Sequence, residues 1–255
     1  MNLKAQNVRR IQAVSAVAIG ALLLAGCAGT PAPSGTPASG TPSAPTESGT
    51  LTVITHDSFA LGEKTIAAFK AETGYDVTFV APGDAGTVVN QLILTKDAPL
   101  GDVVFGIDNT FAGRAIGAGI LSPYTSPALP EGAEAFAADD THALTPVDYG
   151  DVCVNADTRW FAAKGLAVPR TLDDLARPEY AGLLVVENPA SSSPGLAFLA
   201  ATVGAKGDPG YLDYWKALKA NGVKVVKGWT EAYTVEFSGS SGKGERPLVV
   251  SYASS

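Results

Sequence analysis

Three short runs rich in β-branched residues constrain this chain more than any other feature. Leu51-Thr52-Val53-Ile54-Thr55, residues 77–80 and Asp102-Val103-Val104-Phe105-Gly106 are each followed by a stretch with helical spacing. Strand alternating with helix is the pattern of a parallel sheet with helices on its faces, joined by right-handed crossovers. The first helix carries Ile66 and Phe69 and stops at Gly74, a residue that readily takes the left-handed conformation of a helix end. The second has Val88, Leu92 and Thr95 on one face, and the third is rich in Gly and Ala. The third β-run is expected to be buried. Each run ends in a polar tip: His56-Asp57-Ser58, then Asp84, then Asp108-Asn109. In an open parallel sheet those tips share one edge, where a ligand crevice forms.

The pattern then changes. Residues 146–155 read as a long extended segment crossing between two lobes, with Asp148-Tyr149-Gly150 at the crossing and Cys153 in the core of an alternating strand. Thr171 and Asp174 have capping-box spacing, and Pro178 halts the helix they open. Residues 183–187 form another strand whose tip is Asn188-Pro189-Ala190-Ser191-Ser192-Ser193-Pro194-Gly195. Pro194 suits the first position of a helix running to Gly204, and its free N–H groups with the serines make a polar corner. Leu212, Trp215 and Leu218 stripe the next helix, with that Trp in the core. Residues 238–244 read as a glycine-rich surface loop, and 247–252 as a final strand.

The N-terminus speaks to compartment. Lys4, Arg9 and Arg10 precede an apolar run that ends in Leu24-Ala25-Gly26-Cys27, the cleavage box of a bacterial lipoprotein. Residues 1–26 are therefore expected to be a signal peptide and Cys27 the lipidated first residue, since the run falls short of the roughly 20 residues that span a bilayer. After Cys27, which opens the 27–50 segment, residues 28–50 are Ala, Gly, Pro, Ser and Thr with the single acid Glu47, a composition expected to stay a solvated tether reaching about 25 to 30 Å. The whole chain carries −7; the first 26 residues hold three cations and no acid, so the remainder stands at −10. Such a balance disfavours nucleic acid and favours cationic or neutral partners. With only Cys27 and Cys153 in the chain, lipidation of the former leaves no intramolecular disulfide.

Lys227-Gly228-Trp229-Thr230-Glu231-Ala232-Tyr233 follows the strand end Lys224-Val225-Val226. Gly228 is expected to free the backbone for a sharp turn and Thr230 to cap a short helix carrying Tyr233. Two aromatic rings with a carboxylate between them suit a flat cation, although Trp229 could equally be core.

Six motifs in order carry a resemblance: Thr55-His56-Asp57-Ser58-Phe59, Gly106-Ile107-Asp108-Asn109, Val147-Asp148-Tyr149-Gly150, Ser191-Ser192-Ser193-Pro194-Gly195, the Trp229 turn, and Ser251-Tyr252-Ala253-Ser254-Ser255. From residue 51 to 255 the chain resembles the thiamine-binding solute receptors of ABC importers, within the iron- and polyamine-receptor type of periplasmic binding protein. The resemblance implies an α/β, two-lobed type II fold, each lobe a mixed sheet flanked by helices. Lobe 1 spans 51–147 and lobe 2 spans 148–255, with a C-terminal return to lobe 1 expected to be missing. It implies ligand contacts at Asp84, Ala85, Ser192, Ser193, Trp229, Tyr252, Ala253, Ser254 and Ser255; the strand tips, the crossing and the Trp229 turn add Asp57, Asp108, Asp148 and Tyr233 as further candidates. The sequence departs from the family at Ala85, where a glycine is usual, and at His56, where a tyrosine is usual.

The implied activity is capture of thiamine or its phosphate esters by a monomeric lipoprotein on the outer face of the cytoplasmic membrane, for delivery to an ABC permease. No cofactor or metal is expected. A receptor for ferric ion or a polyamine is the alternative of the same fold, although Tyr149, Tyr233 and Tyr252 are scattered rather than adjacent. A secreted hydrolase fails on chemistry. The only histidines are His56 and His142, no Gly-x-Ser-x-Gly elbow is present, and consecutive residues of His56-Asp57-Ser58 point to opposite faces of an extended chain.

Overall fold

The computed structural model describes residues 49–240 and 242–255. The expected signal peptide, the lipidation site Cys27 and the tether up to residue 48 lie outside the described residues. In chain order the elements are β1 (Gly49–His56), α1 (Glu63–Thr73), β2 (Tyr75–Gly83), α2 (Ala85–Leu94), β3 (Val103–Val104), α3 (Asn109–Gly117), β4 (Val152–Ala156), α4 (Thr158–Lys164), α5 (Leu172–Leu175), β5 (Leu184–Glu187), α6 (Ser193–Lys206), α7 (Gly210–Ala220), β6 (Lys224–Val226), α8 (Trp229–Glu231), a π-helical turn (Ala232–Glu236) and β7 (Leu248–Tyr252).

The strands form two sheets, ordered β2-β1-β3 and β4-β7-β5-β6. Every pairing in the first is parallel, so its polar tips do share one edge. Gly49 and Thr50 pair with Tyr75 and Asp76, which makes them part of β1 rather than of the tether. The third run is not a buried strand: only Val103 and Val104 pair, at the edge of the sheet, and Val103 is exposed. Beneath the first sheet, Ala85, Val89, Phe111 and Ala115 of α2 and α3 form a small apolar cluster, while α1 buries no side chain. Gly74, at φ 80°, ends α1 as expected.

The second sheet is mixed, with β7 antiparallel to β4 and parallel to β5. Strands β5 and β7 are closed on both faces. Leu184, Val186, Leu248 and Val250 face Phe161, Leu175, Tyr180, Phe198, Tyr214 and Leu218 on one side. Val185 and Val249 face Val226, Ala232, Tyr233 and Phe237 on the other. Such double burial is why these strands read as continuous apolar runs rather than alternating ones.

Several local expectations are corrected. Cys153 is exposed, not core: β4 is an edge strand whose Val152, Val154 and Ala156 take the inner face, leaving the thiol outward. The Thr171–Asp174 capping box forms with both of its hydrogen bonds. Helix α6 starts at Ser193 and runs to Lys206, so Pro194 stands at its second position. On α7 the fully buried face is Tyr214 and Leu218; Leu212 is exposed, and Trp215 is half-buried with its indole N–H on Thr202 Oγ1 at 2.8 Å. In the loop after the π-helical turn Ser240 and Lys243 are exposed as expected, while Ser238 Oγ bonds Asp157 Oδ2 at 2.7 Å and Gly242 is buried.

Candidate functional site

The edge of the first sheet meets the second at the N-terminus of α2. Asp84 caps that helix, its Oδ1 accepting the Ala85 N–H at 2.7 Å. Its Oδ2 accepts the Trp229 N–H at 2.9 Å, a bond across 145 residues. Two residues further, the Gly86 N–H donates to Ser191 O at 2.9 Å. A Cβ at Gly86 would lie 2.6 Å from the Phe111 ring and 2.8 Å from Ala190 O, so only glycine permits this approach. Thr230 Oγ1 reaches Asp57 Oδ1 at 3.2 Å.

The Trp229 turn differs from its expected form in two ways. Gly228 is extended (φ −162°), a conformation open to any residue; a Cβ there would sit tightly against Asp84, 3.0 Å from its Oδ2. Gly228 is also the cap of α8, so Thr230 is not; its hydroxyl is spent on Asp57. The following π-helical turn, a form common near functional sites, carries Tyr233. Trp229 is half-buried and stacked on Tyr233, with ring centroids 4.8 Å apart and planes 11° from parallel. Its indole N–H donates to Ser251 Oγ at 2.8 Å, and Ser251 Oγ bonds Ser255 Oγ at 2.9 Å. Trp229 therefore belongs both to the packing around β5 and β7 and to the meeting point of the sheets.

Tyr252 closes β7 beside this turn. Burial, then the negative charges of Asp108, Asp84, Glu187 and Asp148, push its hydroxyl well above the usual tyrosine range. Four acids from four segments thus bear on one phenol. Asp108 caps α3 by accepting the Thr110 N–H at 3.1 Å. Exposed Asp148 arrives on the segment that brings Gly150 against the Tyr252 ring.

Most of the expected residues therefore gather here. Asp84, Trp229, Tyr233, Tyr252, Asp57 and Asp108 sit at the meeting of the sheets, and Ser192 and Ser193 are buried at the start of α6 with hydroxyls lacking a partner among the described residues. That start is no ordinary side-chain cap, since Ser192 makes no capping bond. Ala85 turns its side chain into the apolar cluster, with only its backbone toward Asp84. Ala253 and Ser254 are exposed in the turn after β7. His56 Nδ1 lies 2.8 Å from Ser58 Oγ, while Asp57 points away to Thr230, so the three do not form a relay.

One residue escaped the sequence reading. Glu187 is fully buried and neither carboxyl oxygen has a hydrogen-bond partner among the described residues. Burial, and then the charge of Asp84, raise its pKa to about 8; its own backbone N–H gives some relief without adequate hydrogen-bond geometry. The available signal was a carboxylate closing the buried run Leu184-Val185-Val186. Two hollows elsewhere, of about 260 Å³ near Pro169 and Leu172 and about 560 Å³ near Trp215 and Val225, are lined by none of the site residues. Among the described residues no group of three His, Cys, Asp or Glu side chains could hold a metal ion.

Residues 98–254 match the family described as bacterial extracellular solute-binding protein. The chain belongs to that family. Members named thiamine-binding periplasmic protein are similar to this solute-binding protein: the one from Brucella suis is 31% identical over 214 residues, 81% of this chain and 59% of the relative. The one from Escherichia coli is 30% identical over 209 residues, 80% of this chain and 60% of the relative. The chain thus spans about three fifths of the length of these curated relatives. A solved structure described as a periplasmic thiamin binding protein is 28% identical with a TM-score of 0.65, covering 80% of this chain and 61% of that one. An iron-bound protein from Pseudomonas aeruginosa, 24% identical with a TM-score of 0.55 over 80% of this chain and 62% of its own, shares the fold. Among the described residues, no helix is long and apolar enough to cross a membrane.

Proposed function

We propose that this solute-binding protein captures thiamine, or its phosphate esters, and delivers it to the permease of an ABC importer. The observation that carries the reading is the stacked Trp229–Tyr233 pair tied through the Trp229 N–H to Asp84, beside a Tyr252 hydroxyl on which four acids bear. Thiamine is a permanent thiazolium cation joined to an aminopyrimidine. It calls for aromatic faces, worth about 0.5–2 kcal/mol per cation–π contact, and for negative charge close by. The names of the similar Brucella and Escherichia proteins support the same choice. Ser192 and Ser193 at the start of α6 suit ring nitrogens or a phosphate tail.

On this reading the two sheets belong to two lobes, 51–147 and 148–255 apart from the strand start at Gly49. The Asp84–Trp229 and Asp57–Thr230 bonds are then contacts that a closing hinge makes around the ligand. The cleavage box ending in Cys27 supports a lipid anchor on the outer face of the cytoplasmic membrane. Calorimetric titration with thiamine, its phosphates and ferric citrate tests the proposal. Saturable binding of a thiamine form, with no heat from ferric citrate, is expected; the reverse pattern refutes it.

A further inference from the structure

Strand β5 ends in a buried carboxyl group. Glu187 is 0% exposed, and its two oxygens share their lack of partners with Ser192 Oγ and Ser193 Oγ at the start of the 14-residue helix α6. The helix is pressed against it: a Cβ added at Gly195 would lie 2.5 Å from Glu187 O and 3.1 Å from Glu187 Cβ. An ionised carboxylate left bare in such a place is costly, so the group sits there as the neutral acid until a positive charge arrives.

The titratable groups around it come from several elements. Asp84 comes from the start of α2 and Tyr252 from β7, and both are coupled to Glu187 by charge. The π-helical turn brings Tyr233 and Glu236, and β6 with the residue after it brings Lys224 and Lys227. Lys224 is already paired with Glu236 at 2.6 Å, and Lys227 is exposed. The first turn of α6 offers only Ser, Pro and Gly. The surroundings therefore hold negative charge and unused hydroxyls, with no free buried cation among the described residues to hold Glu187 ionised.

We propose that Glu187, with Ser192 and Ser193, is a further recognition group for a cationic nitrogen heterocycle, and that a cation taken up beside Asp84 and Tyr252 drives the proton of Glu187 into solvent. The proposal rests on the thiamine reading. The O–H bond of the acid breaks, the proton passes to buffer, and the carboxylate stays as counter-charge to the ligand. Because the free acid titrates at about 8 and the occupied one lower, binding releases up to one proton below that pH. Affinity then rises with pH, by up to about tenfold per unit, and levels off above about 8.

The test is calorimetric titration of the protein with thiamine, which carries no titrating phosphate, at about pH 7 in phosphate and in Tris, buffers of very different ionisation enthalpy. The expected result is a difference in binding heat corresponding to release of a large fraction of one proton, together with a dissociation constant that falls from about pH 6.5 to 8. Glu187→Gln copies the shape of the neutral acid and should abolish both dependences. The wild-type proton count stands on its own if that variant fails to fold. Thiamine binding with equal heats in both buffers overturns the role of Glu187 and leaves the thiamine reading intact. No thiamine binding at any pH overturns both.

Discussion

The two sheets hold their strands in different ways. In the second, β5 and β7 are buried on both faces and a ten-residue cluster around Phe161 and Leu218 closes one side. In the first, Ile54 is the one fully buried apolar side chain of the strands, α1 buries nothing, and the cluster under α2 and α3 draws on Leu196 from α6. One region is self-sufficient in apolar burial; the other leans on its neighbour at the place where Asp84, Trp229 and Ser191 meet. The site is thus also a structural joint, and changes there should register in binding and in stability together.

The largest effect that would test this contrast is Phe161→Ala, which should cost about 3–5 kcal/mol in urea unfolding. Phe69→Ala on α1, where the ring is 39% exposed, should cost less than about 1 kcal/mol. Similar losses from the two would break the comparison. Asp84→Asn comes next. It removes a charge-assisted acceptor at the joint and should weaken thiamine by about 1–3 kcal/mol, roughly tenfold to a hundredfold, by titration. An unchanged dissociation constant would move the counter-charge to Asp108, Asp148 or Glu187. Last comes Thr171→Ala, which removes a cap remote from the joint. It should lower stability by about 1 kcal/mol and leave affinity untouched.

How far the sequence could be read follows the same division. Where a strand is buried on both faces, as in Leu184-Val185-Val186 and Val249-Val250, the apolar run speaks for itself. At edges it misleads: Val103 and Cys153 look like core because alternation gives two faces without saying which one a neighbour covers. The parallel tips, the capping box at Thr171 and the gathering of Asp84, Trp229 and Tyr252 were legible from motif order and family resemblance. The roles of Gly86 and Gly228 were not, because they come from tertiary approaches: Phe111 and Ala190 leave no room for a Cβ at Gly86, and Asp84 lies tight against Gly228. Glu187 was passed over because a strand end ordinarily returns to solvent; only the seating of α6 on it turns a surface acid into a buried one.

The central claim is that Trp229 is a ligand-facing ring at this joint rather than packing alone. Thiamine titration and thermal unfolding of Trp229→Phe against wild type test it most directly. Phenylalanine keeps an aromatic face toward Tyr233 but loses the indole N–H bond to Ser251, and its π-face is weaker. The account predicts a melting temperature within a few degrees of wild type and a clear loss of thiamine affinity, deepened in Trp229→Ala. Full affinity in the folded fraction of both variants, with stability alone reduced, would contradict it.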